Sequence, residues 1–183
     1  MVMVECLSCN YWNAPSEVNI PLMNKFILIL LVLFCGACAT PQHTIPAKTP
    51  ETFSNEEMNE LAMYAMSLAE TPYRYGGNSP ETGFDCSGFV HHVFKKSLGF
   101  DLPRTSQEIS RMGEPLKEDQ LNPGDLVFFN TQQQPFSHVG IYVGESRFVH
   151  APKKGKAISI VSMRDNYWRS RYEGARRIAS SQR

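Results

Sequence analysis

The chain of 183 residues is short of three things, and each shortage excludes something. No apolar run approaches the roughly 18 residues that a membrane-crossing helix needs; the strongest, Phe26 to Phe34, has nine. There is no excess charge of either sign, because Lys plus Arg and Asp plus Glu are both 18, so nothing overall points to nucleic acid. Cysteine is scarce, with Cys6, Cys9, Cys35, Cys38 and Cys86 making up the whole complement. Internal repeats and a second domain are missing too, and length alone suits one domain with some residues to spare. The neutral total hides an asymmetry. From Ser146 onward lie ten of the eighteen basic residues but only two acids, Asp165 and Glu173. That basic third, with Lys153, Lys154 and Lys156 close together, is either a surface for an anionic ligand or a solvated face.

Met23-Asn24-Lys25 followed by Phe26 to Phe34 has the form of a positive n-region and a short apolar h-region. Gly36-Ala37-Cys38 then resembles a bacterial lipoprotein signal, in which the cysteine becomes the acylated first residue. Cys35 stands where such a signal usually has Leu, and an ordinary secretory signal is the alternative. Ala39 after the cysteine implies the outer membrane for signals of this kind. Residues 1–22 are expected to be a mis-called start or a non-structural extension, and their Cys6-Leu7-Ser8-Cys9 has no strand–helix context for a redox or zinc role. Residues 23–38 are then the signal with acylated Cys38. Residues 39–53, with Pro41, Pro46 and Pro50, form a semi-rigid tether. Residues 54–183 form the one folded domain. On this reading Cys86 is the only free thiol, and a single thiol forms no intramolecular disulfide.

Within the domain, helical signals come first. Ser54-Asn55-Glu56-Glu57 is a capping box ahead of an apolar stripe from Met58 to Ala69, predicting a helix that ends near Glu70. A second helix runs from Asp85, a good N-cap, to about Leu98, closed by Gly99. Thr105-Ser106-Gln107-Glu108 opens a short third helix ending near Met112. Asn122-Pro123-Gly124-Asp125 suits a type II turn and leads into Leu126 to Phe129, a continuous apolar run fit for a central strand. Further strands are predicted at His138–Val143, Arg147–Ala151, Ala157–Ser162 and Tyr172–Ile178. Helices followed by strands imply an α+β domain in which helices pack on an antiparallel sheet.

Cys86 falls in the first turn of the second helix, where unpaired N–H groups and the helix dipole favour a thiolate. The plain alternative is a buried cysteine acting as a small hydrophobe. Ser87 and Gly88 beside it are too small and polar to bury the thiol. A base is available in the strand from His138. There Val139, Ile141 and Val143 face one side, expected to be the core, and His138 the other. A hairpin turning about Gly144 sets His138 directly across from His150, with Cβ atoms about 5 Å apart. A slip of one residue would send the two rings to opposite faces. One imidazole can then act as base while the other fixes its tautomer. His91 and His92, among the apolar positions of the Cys86 helix, have no evident partner.

Six stretches occur in order: Thr71-Pro72-Tyr73-Arg74-Tyr75-Gly76-Gly77, Phe84-Asp85-Cys86-Ser87-Gly88-Phe89-Val90, Leu102-Pro103-Arg104-Thr105-Ser106, Pro123-Gly124-Asp125-Leu126-Val127-Phe128-Phe129, Ser137-His138-Val139-Gly140-Ile141-Tyr142 and Phe148-Val149-His150-Ala151. Together they resemble the NlpC family of papain-like cysteine peptidases that act on bacterial cell walls, over about residues 55–178. Asp165-Asn166-Tyr167-Trp168 and Ala175-Arg176-Arg177-Ile178 are similar to the tail of lipoproteins in that family. The resemblance implies a papain-like fold with Cys86 as nucleophile, His138 as general base and His150 as the residue orienting it. It implies that Tyr73 supports the oxyanion, and that the reaction is hydrolysis of the γ-D-glutamyl–diamino acid amide in peptidoglycan stem peptides. Asp85, Ser87 and Arg104 are candidate substrate-binding residues, Asp85 being equally a helix cap.

No cofactor and no metal are expected. Cys86, His138 and His150 are ligand types for zinc but lack a fourth. The expected partners are stem peptides and, through the lipid, a membrane; no nucleic acid is expected, and the protein is expected to be a monomer in the cell envelope. Two other readings stay open: an acyltransferase or amidase using the same three residues, and a catalytically silent wall-binding lipoprotein.

Overall fold

The computed structural model describes residues 52–182. The signal, acylation site and extension expected within residues 1–38, and nearly all of the tether, lie outside the described residues. No helix among the described residues is long and apolar enough to cross a membrane.

Three helices precede most of the sheet. Helix α1 (Asn55–Ser67) is capped by Ser54, whose hydroxyl accepts from Glu57 N–H while the Glu57 side chain returns to the Ser54 backbone. It stops three residues short of the expected end, and Glu70 then enters the left-handed region at φ 68°. A small hairpin follows, β1 (Asn78–Ser79) and β2 (Gly83–Phe84). Helix α2 (Cys86–Leu98) has Asp85 as N-cap and ends at Gly99 with φ 61°. Helix α3 (Ser106–Ile109) is capped by Thr105 and is shorter than expected.

The remaining strands are β3 (Glu114–Leu116), β4 (Leu126–Phe129), β5 (His138–Gly144), β6 (Arg147–His150), β7 (Ser159–Ser162) and β8 (Tyr172–Arg177). Between β7 and β8 sits a single-turn helix, α4 (Asn166–Arg169). The sheet order is β3-β8-β4-β5-β6-β7, antiparallel throughout. Strand β3 escapes the period-2 signal because it is short and carries Pro115, which only an edge strand tolerates. Strand β4 is central, as its unbroken apolar run implies. Leu126 and Phe128 pack toward α1 and α2 with Met58, Leu61, Phe89, Val93, Val139 and Ile141. Val127 and Phe129 pack on the opposite face with Phe148, Met163, Ala175 and the flank of Trp168. Val139 and Ile141 therefore face the helical core as expected, but the face carrying His138 is a second buried layer rather than a solvated one.

The β5–β6 register differs from the expected one. The turn is centred on Glu145 and Ser146, both left-handed at φ 54° and 55°, and not on Gly144. Ile141 pairs with Val149 and Tyr142 with Phe148, with an irregularity before Gly144. Continued inward, this register sets His150 across from Gly140, so His138 and His150 are diagonal neighbours. The shift is two residues, which keeps both rings on one face.

Gly140 is where this hairpin has least room. A Cβ there would lie 2.5 Å from Phe148 Cδ2 and 2.9 Å from the Val149 carbonyl oxygen. Gly140→Ala is expected to destabilise the domain by about 2 kcal/mol through overpacking, read from urea unfolding at constant slope. No change in midpoint would mean that Phe148 and β6 yield freely.

Candidate active site

Cys86 is the first residue of α2, half-buried and a free thiol. The helix start is locked to the preceding loop by Asp85. Its Oδ1 accepts from Gly88 N–H at 2.7 Å and its Oδ2 from Gly76 N–H at 3.0 Å. Arg104 donates to both oxygens, Nη1 to Oδ1 at 2.9 Å and Nη2 to Oδ2 at 2.6 Å, a bidentate pair. Arg104 Nη1 also donates to Ser87 Oγ at 2.8 Å. The three candidate binding residues Asp85, Ser87 and Arg104 thus form one network beside the thiol. The cap role of Asp85 is realised, and its lone pairs are already shared among backbone and guanidinium donors. Close approach here requires glycine, since a Cβ on Gly88 would sit 2.1 Å from the Gly77 carbonyl oxygen.

The expectation of a resting thiolate at the helix terminus is not met. Burial pushes the Cys86 thiol up, and the Asp85 carboxylate pushes it further. Backbone N–H groups of Val139, Ser87 and Cys86 itself act in the other direction and are outweighed.

His138 opens β5 and pairs with Phe129; His150 closes β6 and pairs with Ser159. Both rings are buried, at 4% and 1% exposure. His138 Nε2 lies 2.8 Å from His150 Nδ1, in hydrogen-bond contact. If His138 is to accept a proton at its other nitrogen, Nδ1, its own proton must sit on Nε2 and be donated to His150 Nδ1. His150 must then carry its proton on Nε2. Burial lowers the pKa of His138, and burial followed by the neighbouring His138 lowers that of His150. Both rings are neutral near pH 7.

Trp168 roofs the pair, stacked on His138 with centroids 5.6 Å apart and edge-on to His150 at 4.8 Å. As a site residue it was not foreseen, although it lies in the Asp165-Asn166-Tyr167-Trp168 stretch that resembles the family. Tyr73 is half-buried on the same groove as Cys86. Burial first and the nearby Cys86 second push its phenol pKa up, which keeps it a proton donor. The groove, about 500 Å³, is also lined by Tyr75, Arg104, Gln107, Gln132 and Gln134. His91 and His92 prove to have partners: His91 Nδ1 contacts the Leu102 carbonyl at 2.6 Å, and His92 Nε2 contacts Tyr64 Oη at 2.9 Å. They brace α2 rather than join the site.

Helices at one side of a twisted antiparallel sheet, with a thiol at a helix N-terminus and a histidine pair on the adjoining hairpin, define a papain-like α+β domain. Residues 70–177 match the model of the NlpC/P60 family, and the chain belongs to that family. It is 44% identical over 124 residues to the murein DD-endopeptidase MepH of Escherichia coli K12, covering 66% of this chain and 44% of that protein. It is 42% identical over 108 residues to the gamma-DL-glutamyl hydrolase of Bacillus subtilis 168, covering 58% of this chain and 26% of that protein. The chain therefore spans less than half of either relative. The crystal structure of an NlpC/P60 family protein from Bacillus cereus superposes with a TM-score of 0.61 at 32% identity, over 70% of this chain and 41% of that one.

Two neutral buried histidines make stability depend on pH with a definite sign. Their folded pKa values lie below the unfolded value of about 6.5, so between the two the unfolded chain binds more protons. Stability from this source is full above about pH 6.5 and is lost as pH falls toward about 4. The thermal midpoint is expected to drop across that window, and less steeply in a His138→Asn/His150→Asn variant. Equal slopes in the two proteins would show that other groups carry the dependence.

Proposed function

We propose that this protein is a cysteine endopeptidase of the bacterial cell wall, cleaving the γ-D-glutamyl–diamino acid amide of peptidoglycan stem peptides. The observation that carries the reading is the buried, hydrogen-bonded His138–His150 pair in the same domain as a free thiol that stands at the start of α2 and lines an open groove. The relatives named above support the substrate class.

The chemistry follows from the protonation states. Cys86 and His138 rest as thiol and neutral imidazole, so the proton passes from Sγ to His138 Nδ1 as the sulfur attacks the amide carbonyl. The imidazolium formed donates Nε2–H to His150 Nδ1. Backbone N–H groups at the start of α2, with the Tyr73 hydroxyl, hold the oxyanion. His138 then protonates the leaving amine, which departs and leaves a thioester. Water loses a proton to His138, attacks the thioester and releases the acid, and Sγ takes the proton back.

Purified protein and a Cys86→Ala variant incubated with peptidoglycan distinguish the outcomes by mass spectrometry of the products. The wild type is expected to release fragments ending in D-glutamate, and the variant to be slower by on the order of 10⁴-fold or more. Identical products from both, or from neither, would overturn the reading. A second bond has specific support, because the MepH relative is named a DD-endopeptidase; products cut at the D,D cross-link instead would assign that bond.

We further infer that the mature protein begins at an acylated Cys38 and is held at the cell envelope, in the outer membrane, by that lipid. The support is the n-region, h-region and Gly36-Ala37-Cys38 order. Labelled palmitate is expected to enter the wild type and not a Cys38→Ala variant; label in neither would rule out the anchor.

A further inference from the structure

A second groove, about 380 Å³, opens on the His150 side of the domain, with Glu70, His150, Lys153, Lys156, Ile158 and Trp168 in its lining. Backbone contacts link its wall to that of the Cys86 groove: Tyr73 N–H donates to the Lys156 carbonyl at 2.8 Å, and Pro72 bridges to Ala157. The segment that walls one groove is thus paired with the segment that walls the other.

The second groove carries fixed charges of both signs that do not neutralise each other. Among the described residues, Glu70 makes no ion pair with Lys153 or Lys156. Glu70 is also held in place: its N–H donates to the Ile158 carbonyl at 3.0 Å and Ile158 N–H to the Thr71 carbonyl at 2.9 Å, fixing it at φ 68°. For a residue other than Gly, Asn or Asp that backbone conformation is disfavoured. The lining also has an apolar part, formed by the half-buried Ala157, Val161 and Trp168. A simple anion would be repelled by Glu70, and a simple cation by the lysines. A ligand with a hydrocarbon stem and both charges at its end meets every feature.

We propose that this groove receives the far end of the diamino acid, its free carboxylate at Lys153 and Lys156 and its free ammonium at Glu70, with the hydrocarbon stem lying on Trp168 and Val161. This rests on the stem-peptide reading above and names the substrate feature that the enzyme selects. It also makes the protein prefer stems that are not cross-linked, since cross-linking consumes that ammonium.

Binding is measured by calorimetry on the Cys86→Ala protein with three stem-peptide probes: one with the far end free, one amidated at its carboxylate, and one acetylated at its amine. The free probe is expected to bind tightest and each blocked probe about tenfold weaker. Lys153→Gln with Lys156→Gln removes the amide penalty and keeps the acetyl penalty; Glu70→Gln does the reverse; Lys→Arg at both positions restores the first pattern. These side chains are exposed, so melting temperatures are expected to be unchanged. Equal binding of all three probes, no binding of any, or variants that weaken all three alike would overturn the proposal. Wild-type digestion of peptidoglycan is read separately. Cleavage without probe discrimination sinks the subsite alone, and discrimination without cleavage sinks the endopeptidase reading alone.

Discussion

The hydrogen bond between His138 and His150 is the constraint on which the domain is built. A buried imidazole without a partner is costly, and here each ring is the other's partner. Their contact fixes which nitrogen of His138 is free, and with it the direction of proton flow. It exists only because β5 and β6 pair in one register, and that register exists only because Gly140 leaves room for Phe148. Trp168, delivered by a single-turn helix late in the chain, seals the pair from water. One polar contact therefore couples a hairpin, a glycine and a distant aromatic.

Around this bond the protein keeps charge away from the reacting atoms. The helix terminus and three N–H groups favour a sulfur anion, but burial and the Asp85 carboxylate oppose it more strongly. Asp85 cannot be removed cheaply, because it caps α2 and anchors Arg104. The result is a neutral thiol beside a neutral base, in which charge separates only when a carbonyl is present to receive the sulfur and N–H groups are present to receive the oxyanion. The cost of ion-pair formation is moved from the resting protein to the reaction itself.

Much of this was legible from local chemistry. The capping boxes at Ser54 and Thr105, the Asp85 cap and the Gly99 terminator mark the three helix starts and the end of α2 nearly to the residue, because each is decided within four positions, whereas α1 and α3 end three residues early. The burial of both strand faces at Leu126 to Phe129 was legible from unbroken apolarity. The hairpin register was not. Its turn places Glu145 and Ser146 at positive φ, where Gly or Asn is the usual signal, and Gly144 beside them drew the turn off centre. Trp168 over the histidines and Arg104 on Asp85 were equally hidden, since nothing in spacing alone reports contacts across 18 or more residues. The resemblance carried by six ordered motifs implied the chemistry that local pattern could only suggest, and the match of residues 70–177 to the family model shows the membership.

The proton that stays on Cys86 has a consequence beyond catalysis. Peroxides and other oxidants attack the thiolate far faster than the thiol, and each step toward sulfinic acid is a step toward permanent loss. A sulfur that is protonated at rest and becomes anionic only under a bound carbonyl presents its reactive form to substrate and not to dissolved oxidants. Burial that pushes the Cys86 thiol up therefore also lowers the share of its oxidant-sensitive anion in the resting protein.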